Sequence, residues 1–148
     1  MKDKVDKLKR IISNVSFLPP LLLRLVLAYG FYEPALKKWD DINAVAKWFG
    51  NEDWGLGLPF PTLNAYLAAS TEALGAVLLF LGLGTRLISI PLIFTMLVAI
   101  FSVHIENGFA ASDNGFEIPL YYIIMLVVLL INGPGKLSTD ALIYKKLK

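Results

Sequence analysis

The sequence predicts an all-α protein, an integral membrane four-helix bundle with a short amphipathic outer-loop helix and a short C-terminal cytoplasmic helix. Two features of the composition lead to this prediction. Of the 148 residues, 56% are hydrophobic and 18% are charged, whereas a soluble domain carries about 25% charge. The charges are also spaced so that four long apolar runs remain. We therefore expect one membrane domain over residues 1–148 and no separate soluble domain.

The four apolar runs cover residues 17–36, 62–83, 87–106 and 117–133. A helix needs about 20 mostly apolar residues to cross the hydrocarbon core of a bilayer. A spanning segment must also satisfy its own backbone hydrogen bonds, as a helix does. We therefore interpret each run as a spanning helix. The first run resembles a signal peptide, but Arg24 interrupts it and no small-residue cleavage site follows, so we expect it to be retained.

Basic residues are concentrated on one side of the predicted bundle, where ten of them precede the first span, follow the fourth, or lie between the second and third. The other side carries only Lys37, Lys38 and Lys47. Cytoplasmic loops of membrane proteins carry an excess of Lys and Arg. We therefore predict a multi-pass protein of a bacterial-type inner membrane with both termini in the cytoplasm.

Two short helices are predicted outside the spans. The segment KKWDDINAVAKWF has apolar residues at helical spacing, which predicts a helix that lies on the outer surface or caps the bundle. In NGPGKLSTD, glycine and proline end the fourth span, and Ser138 or Thr139 then caps a C-terminal helix. The basic N-terminal segment KVDKLKRIISNVSF is also amphipathic, and we favour a topology signal over a specific anionic-lipid site.

Two ionisable residues are predicted to lie deep in the membrane, Arg24 in the first span and Glu72 in the second. At about 1.5 Å per residue, Arg24 lies ~10 Å above the inner boundary and Glu72 lies ~15–17 Å above it. An arginine side chain can bridge this difference, and charges inside spans usually pair. We therefore predict an intramembrane Arg24–Glu72 pair, which either fixes the helix register or also forms the floor of a functional pocket.

A second ionisable group is predicted near the outer boundary, where it consists of Glu33, His104, Glu106 and Glu117. Carboxylates and an imidazole can exchange protons with a quinone or another bound headgroup, so we treat these residues as candidates for an outer-side pocket. A satisfied interfacial histidine is the commoner outcome for a residue such as His104. The sequence lacks the His or Cys spacing of zinc and copper sites, and we predict no metal site.

Composition and charge exclude several classes of function. The chain has no cysteine, so it cannot form disulfides, use its own thiols or bind an iron–sulfur cluster through thiolates. The net charge is only +2 and the basic residues lie mainly near the chain ends, so we expect no binding of nucleic acid.

Five motifs of the chain, in this order, resemble the DoxX family of small four-helix membrane proteins: LLLRLVLAYGFYEPALKK, STEALGAVLLFLGLGTRL, MLVAIFSVHIENGF, NGFEIPLYY and NGPGKLSTDALI. The resemblance covers nearly the whole chain. It implies the following motif positions: Arg24, Glu72, Arg86, His104, Gly108, Glu117 and Asp140. Members of the family include a membrane subunit associated with thiosulfate:quinone oxidoreduction and proteins linked to oxidative-stress and metal-handling complexes.

These features predict an inner-membrane subunit of a redox or stress-response complex, with a polar intramembrane pocket that binds a quinone or a lipid headgroup. Its partners would then be the lipid bilayer and soluble or membrane redox proteins, and an oligomer is compatible with the sequence. Two alternatives remain open: a quinone-linked oxidoreductase in its own right, and a permease for metals or small molecules. The sequence does not decide whether the protein is an enzyme or which cofactor it uses.

Overall fold

The computed structural model describes residues 2–147, apart from the side chains of residues 2, 3, 7, 8 and 11. All regular secondary structure in this range is helical. The α-helices are α1 (Lys2–Asn14), α2 (Leu18–Asp40), α3 (Ile42–Gly50), α4 (Pro61–Leu81), α5 (Thr85–Ala99), α6 (Glu117–Asn132) and α7 (Thr139–Lys146).

The four long helices pack side by side in the cyclic order α2, α4, α5, α6, and α3 packs on α4. Each long helix runs antiparallel to the next, so the bundle has two different ends. We call one the Arg24 end, which contains the turn of residues 82–84, the linker of residues 133–138 and α7. We call the other the His104 end, which contains α3 and the loop of residues 108–116. The candidate site residues divide between these two ends.

The helix boundaries follow local sequence signals. Proline stands in the first turn of α2 and of α4, where its missing N–H costs nothing. Gly82 ends α4 in the left-handed conformation, with φ of 66°, which glycine adopts without steric cost. Ser138 caps α7 by accepting a hydrogen bond from the backbone N–H of Ala141 at 3.2 Å. The structure thus selects Ser138 from the two caps that the sequence left open.

Two of the predicted spans differ from the observed helices in length. Helix α2 continues to Asp40, four residues beyond the predicted end, and this extension carries Lys38 into contact with Glu72. Helix α5 ends at Ala99, and the chain then continues through a π-helical turn, Ile100–His104, and a 3₁₀ turn, Ile105–Asn107. A π-turn changes the direction in which the following side chains point, and such turns are frequent at functional sites.

Two helical segments are long and apolar enough to cross a membrane by length and composition, Pro61–Leu81 and Thr85–Asn107. Helix α6 is apolar but has only 16 residues. Helix α2 has 23 residues, but Arg24, Glu33 and three prolines lower its hydropathy. The structure therefore confirms an all-helical fold. By length and composition, two of its helices qualify as membrane spans, so these criteria do not establish all four spans of the predicted bundle.

The core of the bundle is small, and large apolar side chains cover its outside. Leu27, Leu79, Leu92, Leu126 and Leu129 are fully buried at the centre, where Phe31 packs edge-on against Tyr122. Other apolar side chains on the long helices point outward and are exposed: Leu22, Val26, Leu74, Val77, Phe80, Ile90, Phe94, Phe101, Ile124 and Ile131. Two charged side chains, Arg24 and Glu72, are buried inside.

Candidate functional site

Arg24 is almost completely buried at the Arg24 end of the bundle, with 1% of its surface exposed. Its guanidinium donates hydrogen bonds to the carbonyl oxygens of Leu79, at 3.2 Å, and Phe80, at 3.4 Å, at the C-terminus of α4. It also donates to the carbonyl oxygen of Leu137 in the linker before α7. A cation is favoured at a helix C-terminus because the last carbonyl groups carry partial negative charge. Arg24 therefore joins α2, α4 and the linker.

The predicted Arg24–Glu72 pair is wrong, because Glu72 forms its salt bridge with Lys38, at 2.6 Å between Nζ and Oε2. The physical reason is the direction of side chains on antiparallel helices. Each side chain leans toward the N-terminus of its own helix. Arg24 therefore leans toward the Arg24 end, whereas Glu72 on α4 leans toward the His104 end. Lys38, near the C-terminus of α2, leans back toward Glu72.

Asp140 holds α7 against the turn between α4 and α5. Its carboxylate accepts hydrogen bonds from the backbone N–H groups of Gly84, at 2.8 Å, and Thr85, at 3.2 Å. Its own backbone N–H donates to the carbonyl oxygen of Gly82 at 3.0 Å. A carboxylate is a favourable cap for the first turn of a helix, here α5. Asp140 also lies close enough to Arg24 to attract it electrostatically.

Arg86, in the first turn of α5, donates a hydrogen bond from Nη2 to the carbonyl oxygen of Ile131 near the end of α6, at 3.1 Å. Beside it lies an open cleft of about 630 Å³. The cleft is lined by Gly84, Arg86, Leu87, Asn132, Pro134, Gly135, Lys136, Asp140, Ala141 and Tyr144. Three predicted motif positions therefore lie at this end: Arg86 and Asp140 line the cleft, and Arg24 is buried beside the linker that precedes α7.

The cleft has a cationic character. Arg86 and Lys136 are both exposed at its wall, and no side chain in the described part of the chain forms an ion pair with either. Asp140 supplies a negative charge, but two backbone N–H groups already bind it. Two cations with free donors bind electron-rich oxygen atoms, such as those of a carbonyl, carboxylate or phosphate group. Leu87 and Tyr144 add apolar and aromatic surface.

Two of the residues predicted to form an outer-side pocket, Glu33 and Glu106, lie exposed on the surface. Glu33 pairs with Lys37, one helical turn away, at 2.7 Å. The cleft, in contrast, lies at the Arg24 end, which is the opposite end of the bundle from the predicted pocket.

His104, Gly108 and Glu117 instead shape the loop between α5 and α6. The Nδ1 of His104 lies 2.7 Å from the carbonyl oxygen of Asn114, to which it donates. Glu117 accepts hydrogen bonds from the backbone N–H of Ala111, at 2.9 Å, and from the hydroxyl of Tyr121, at 3.1 Å. Gly108 accepts a hydrogen bond from the backbone N–H of Phe116. Each of these groups thus has a partner within its own loop.

The side chains described in residues 2–147 contain no group of three or more His, Cys, Asp or Glu residues placed to hold a metal ion. His104, which could contribute a ligand, uses Nδ1 in its loop.

Among the cleft residues that the sequence does not identify as site residues, three have polar side chains: Asn132, Lys136 and Tyr144. From the sequence, Lys136 belongs only to the basic side of the membrane and Asn132 only to the end of the fourth span. The predicted end of the first span at residue 36 leaves Lys38 outside that span, away from Glu72. A first span extended through Trp39 and Asp40 would place Lys38 on the helix and identify it as a partner for Glu72. The position of α7, in contrast, depends on contacts with residues distant in sequence, which local patterns do not predict.

Comparisons with known proteins give a consistent result. The DoxX family model matches residues 20–105 of the chain. An "Uncharacterized protein" of Haemophilus influenzae is 36% identical over 98% of this chain and 93% of the relative. The protein named "Putative oxidoreductase CatD" of Bacillus subtilis is 29% identical over 89% of this chain and 92% of its own length. No solved structure matches the chain.

Proposed function

This chain belongs to the DoxX family, and from that premise we propose that it is the membrane subunit of a redox or stress-response complex. In this proposal all four long helices cross the inner membrane of a bacterial-type cell. The cleft at the Arg24 end faces the cytoplasmic side and binds the headgroup of a quinone. A partner protein exchanges electrons with that quinone.

The distribution of apolar surface supports four membrane spans. The two candidate spans, Pro61–Leu81 and Thr85–Asn107, are mostly exposed along their apolar stretches, whereas the core helix of a soluble protein buries such a stretch. Exposed leucine, valine and isoleucine side chains lie on α2 and α6 as well. An exposed apolar surface of this extent marks contact with lipid. Arg24 and Glu72, two charges that would be costly in lipid, face inward.

Charge supports the orientation. The Arg24 end contains Arg86 and Lys136, and the basic segments of α1 and α7 adjoin it. The loops at the His104 end carry acidic residues such as Glu52, Asp53 and Asp113. Because basic loops remain in the cytoplasm, the Arg24 end is the cytoplasmic end in this proposal. The cleft is then within reach of soluble cytoplasmic partners.

We choose a quinone as the proposed ligand because two cations and an apolar surface line the same cleft. A quinone headgroup is a flat ring with two carbonyl oxygens, which accept hydrogen bonds and gain electron density when the ring is reduced. Arg86 and Lys136 can donate to such oxygens, and positive charge favours the electron-rich form. Leu87 and Tyr144 provide surface for the ring.

The redox part of the proposal has two supports. A relative that matches most of the chain carries the name oxidoreductase. The chain itself has no cysteine, so thiol chemistry must take place on a partner. A complex in which this protein binds the quinone and a partner supplies the electrons fits both facts.

Quinone binding to the full chain in lipid nanodiscs tests the proposal. The probe is a short-chain ubiquinone, and the dissociation constant is measured by equilibrium dialysis. We expect Arg86→Gln to weaken binding about ten-fold or more, since a hydrogen bond from a charged group contributes about 1.5 kcal/mol or more. The control is Glu106→Gln, an exposed change at the opposite end, which leaves binding unchanged. Equal affinity of both variants and the wild type, or no binding at all, would overturn the proposal.

A further inference from the structure

A second concavity lies on the other side of the linker from the cleft. This groove has a volume of about 330 Å³. It is lined by Ser16, Pro19, Pro20, Leu23, Val128, Leu129, Asn132, Gly133, Gly135 and Lys136. It shares Asn132, Gly135 and Lys136 with the cleft, so the linker separates the two concavities and Lys136 stands at the rim of both.

The walls and the mouth of the groove differ in polarity. The walls are apolar and come from the first turns of α2, with Pro19 and Leu23, and from the last turns of α6, with Val128. The polar side chains of the lining, Ser16, Asn132 and Lys136, are all exposed, and we define them as the mouth, where they offer hydroxyl, amide and ammonium donors. A molecule that fits this groove has a hydrocarbon part and a polar part joined at one end.

The close approach of the linker to α2 shapes the groove. Gly135 has a φ of 84°, and a Cβ atom at this position would lie 2.5 Å from Cγ of Pro20. Only glycine combines this conformation with this contact. The mouth is thereby held next to the apolar wall.

The charge of the mouth is positive. No acidic side chain lines the groove, and Asp140 lies on the cleft side of the linker. Lys136 is exposed and has no ion-pair partner among the side chains that the structure describes. Basic residues of α1, among them Lys9 and Arg10, precede this region in the chain. A ligand with a negatively charged head is therefore favoured over a neutral or zwitterionic one.

We propose that this groove is a binding site for one anionic phospholipid of the inner leaflet. Its phosphate group is bound by Lys136 with Ser16 and Asn132, and the start of an acyl chain lies between α2 and α6 along Pro19, Leu23 and Val128. This inference rests on the proposed function, because it requires the Arg24 end to lie at the cytoplasmic surface of the membrane. It differs from the N-terminal topology signal, since it assigns one lipid to one groove.

Native mass spectrometry of the full chain, purified in detergent, tests the site. The chain is mixed with equal amounts of phosphatidylglycerol and phosphatidylcholine, and the ratio of the two bound lipids is measured. We expect the wild type to retain one phosphatidylglycerol in preference. Lys136→Gln lowers this preference about five-fold, the factor that one basic side chain near an anionic headgroup contributes. Lys145→Gln removes the same charge from the same end but does not line the groove, and it leaves the preference nearly unchanged.

A second variant tests the apolar part of the groove without changing its charge. Val128→Trp fills the apolar part of the groove and excludes the lipid while Lys136 remains in place. Circular dichroism verifies that both variants fold. Inorganic phosphate at millimolar concentration does not displace the lipid if the acyl chain contributes to binding. Equal lipid ratios for Lys136→Gln and Lys145→Gln, or displacement by phosphate alone, would overturn the proposal.

The two proposed sites fail separately. Arg86 lines the cleft but not the groove, and Val128 lines the groove but not the cleft. We therefore expect Arg86→Gln to weaken quinone binding and to leave the lipid preference unchanged. We expect Val128→Trp to abolish the lipid preference and to leave quinone binding unchanged. A wild-type protein that binds quinone but shows no preference for phosphatidylglycerol would contradict the lipid site alone.

Discussion

Glu72 and Lys38 form the most deeply buried ion pair that the described residues contain. The side chain of Glu72 is 4% exposed and that of Lys38 is 24% exposed. Lys38 extends from the last turn of α2 and joins that helix to the middle of α4. Its long aliphatic stem allows the ammonium to reach a buried carboxylate while the backbone stays near the end of the helix. The pair therefore connects two helices rather than lining the cleft.

Lys38→Met tests the structural role of this pair. The change leaves the Glu72 carboxylate buried without a partner, and we expect it to destabilise the protein by about 3 kcal/mol or more. The double variant Lys38→Met/Glu72→Gln restores most of the loss, because no unpaired charge remains. Thermal unfolding in detergent measures both.

The adjacent residue provides a matched control. Lys37 pairs with Glu33 on the exposed surface of the same helix, and such exposed pairs contribute little to stability. Lys37→Met is therefore expected to leave the unfolding temperature nearly unchanged. If Lys38→Met were equally harmless, the Glu72–Lys38 pair would have no structural role.

At the level of single residues, the sequence identified which charges are buried but not which of them meet. The cost of a charge in an apolar environment singled out Arg24 and Glu72, and both are buried. The partner of each depends on the direction in which side chains lean on antiparallel helices, and estimated depth along the membrane does not contain this information. The same reasoning would have assigned Lys38 to Glu72 if the end of α2 had been placed correctly.

Among the structural elements, the linker between α6 and α7 positions both concavities. It is fixed by contacts distant in sequence: Arg24 donates to Leu137, Thr139 donates from its hydroxyl to Leu81 at 2.8 Å, and Asp140 binds the start of α5. The sequence predicted the end of α6 and the cap of α7 from local signals. It did not predict that this segment folds back onto the turn between α4 and α5, and so the cleft was missed.

Gly135→Ala tests the role of the linker in shaping the groove. The added methyl group meets Pro20 at 2.5 Å and the backbone has a φ of 84°, so we expect destabilisation by more than about 1 kcal/mol. Gly84→Ala is the matched control, because Gly84 has a φ of 56° but no atom within 4 Å of the added carbon. It is expected to show the conformational cost alone.

Thermal unfolding compares the two glycine variants, and the rescue variant Gly135→Ala/Pro20→Ala removes the contact. The difference between Gly135→Ala and Gly84→Ala then measures the steric part. If Gly84→Ala cost as much as Gly135→Ala, or if the rescue had no effect, close packing of the linker on α2 would be contradicted.

On the scale of the whole molecule, large apolar side chains lie on the outside of the bundle as well as in its core. Charged and hydroxyl side chains, such as Arg24, Glu72 and Ser89, are buried, while large apolar side chains cover the outside. Sequence periodicity and composition predicted this arrangement, since the apolar runs are too long and too continuous for a small soluble core. The composition of α2 is less decisive, because Arg24, which lowers its hydropathy, is buried only in the folded bundle, whereas Glu33 stays exposed and pairs with Lys37.

Membrane topology can be measured directly, because the chain contains no cysteine of its own. Single cysteines are introduced as Ser13→Cys, Asp113→Cys and Lys145→Cys, and intact spheroplasts are treated with a maleimide that does not cross membranes. We expect labelling at position 113 alone, and labelling at all three positions after the membrane is permeabilised. Labelling at position 13 or 145 in intact spheroplasts would contradict the orientation.

The position of the bound quinone tests the central claim most directly. A photoreactive azidoquinone is crosslinked to the full chain in nanodiscs, and the modified peptides are identified by mass spectrometry. We predict labelling near residues 84–87 and 132–144, which line the cleft, and competition by unmodified quinone. Labelling centred on His104 and Glu117 at the other end of the bundle, or labelling that unmodified quinone does not compete, would contradict the account.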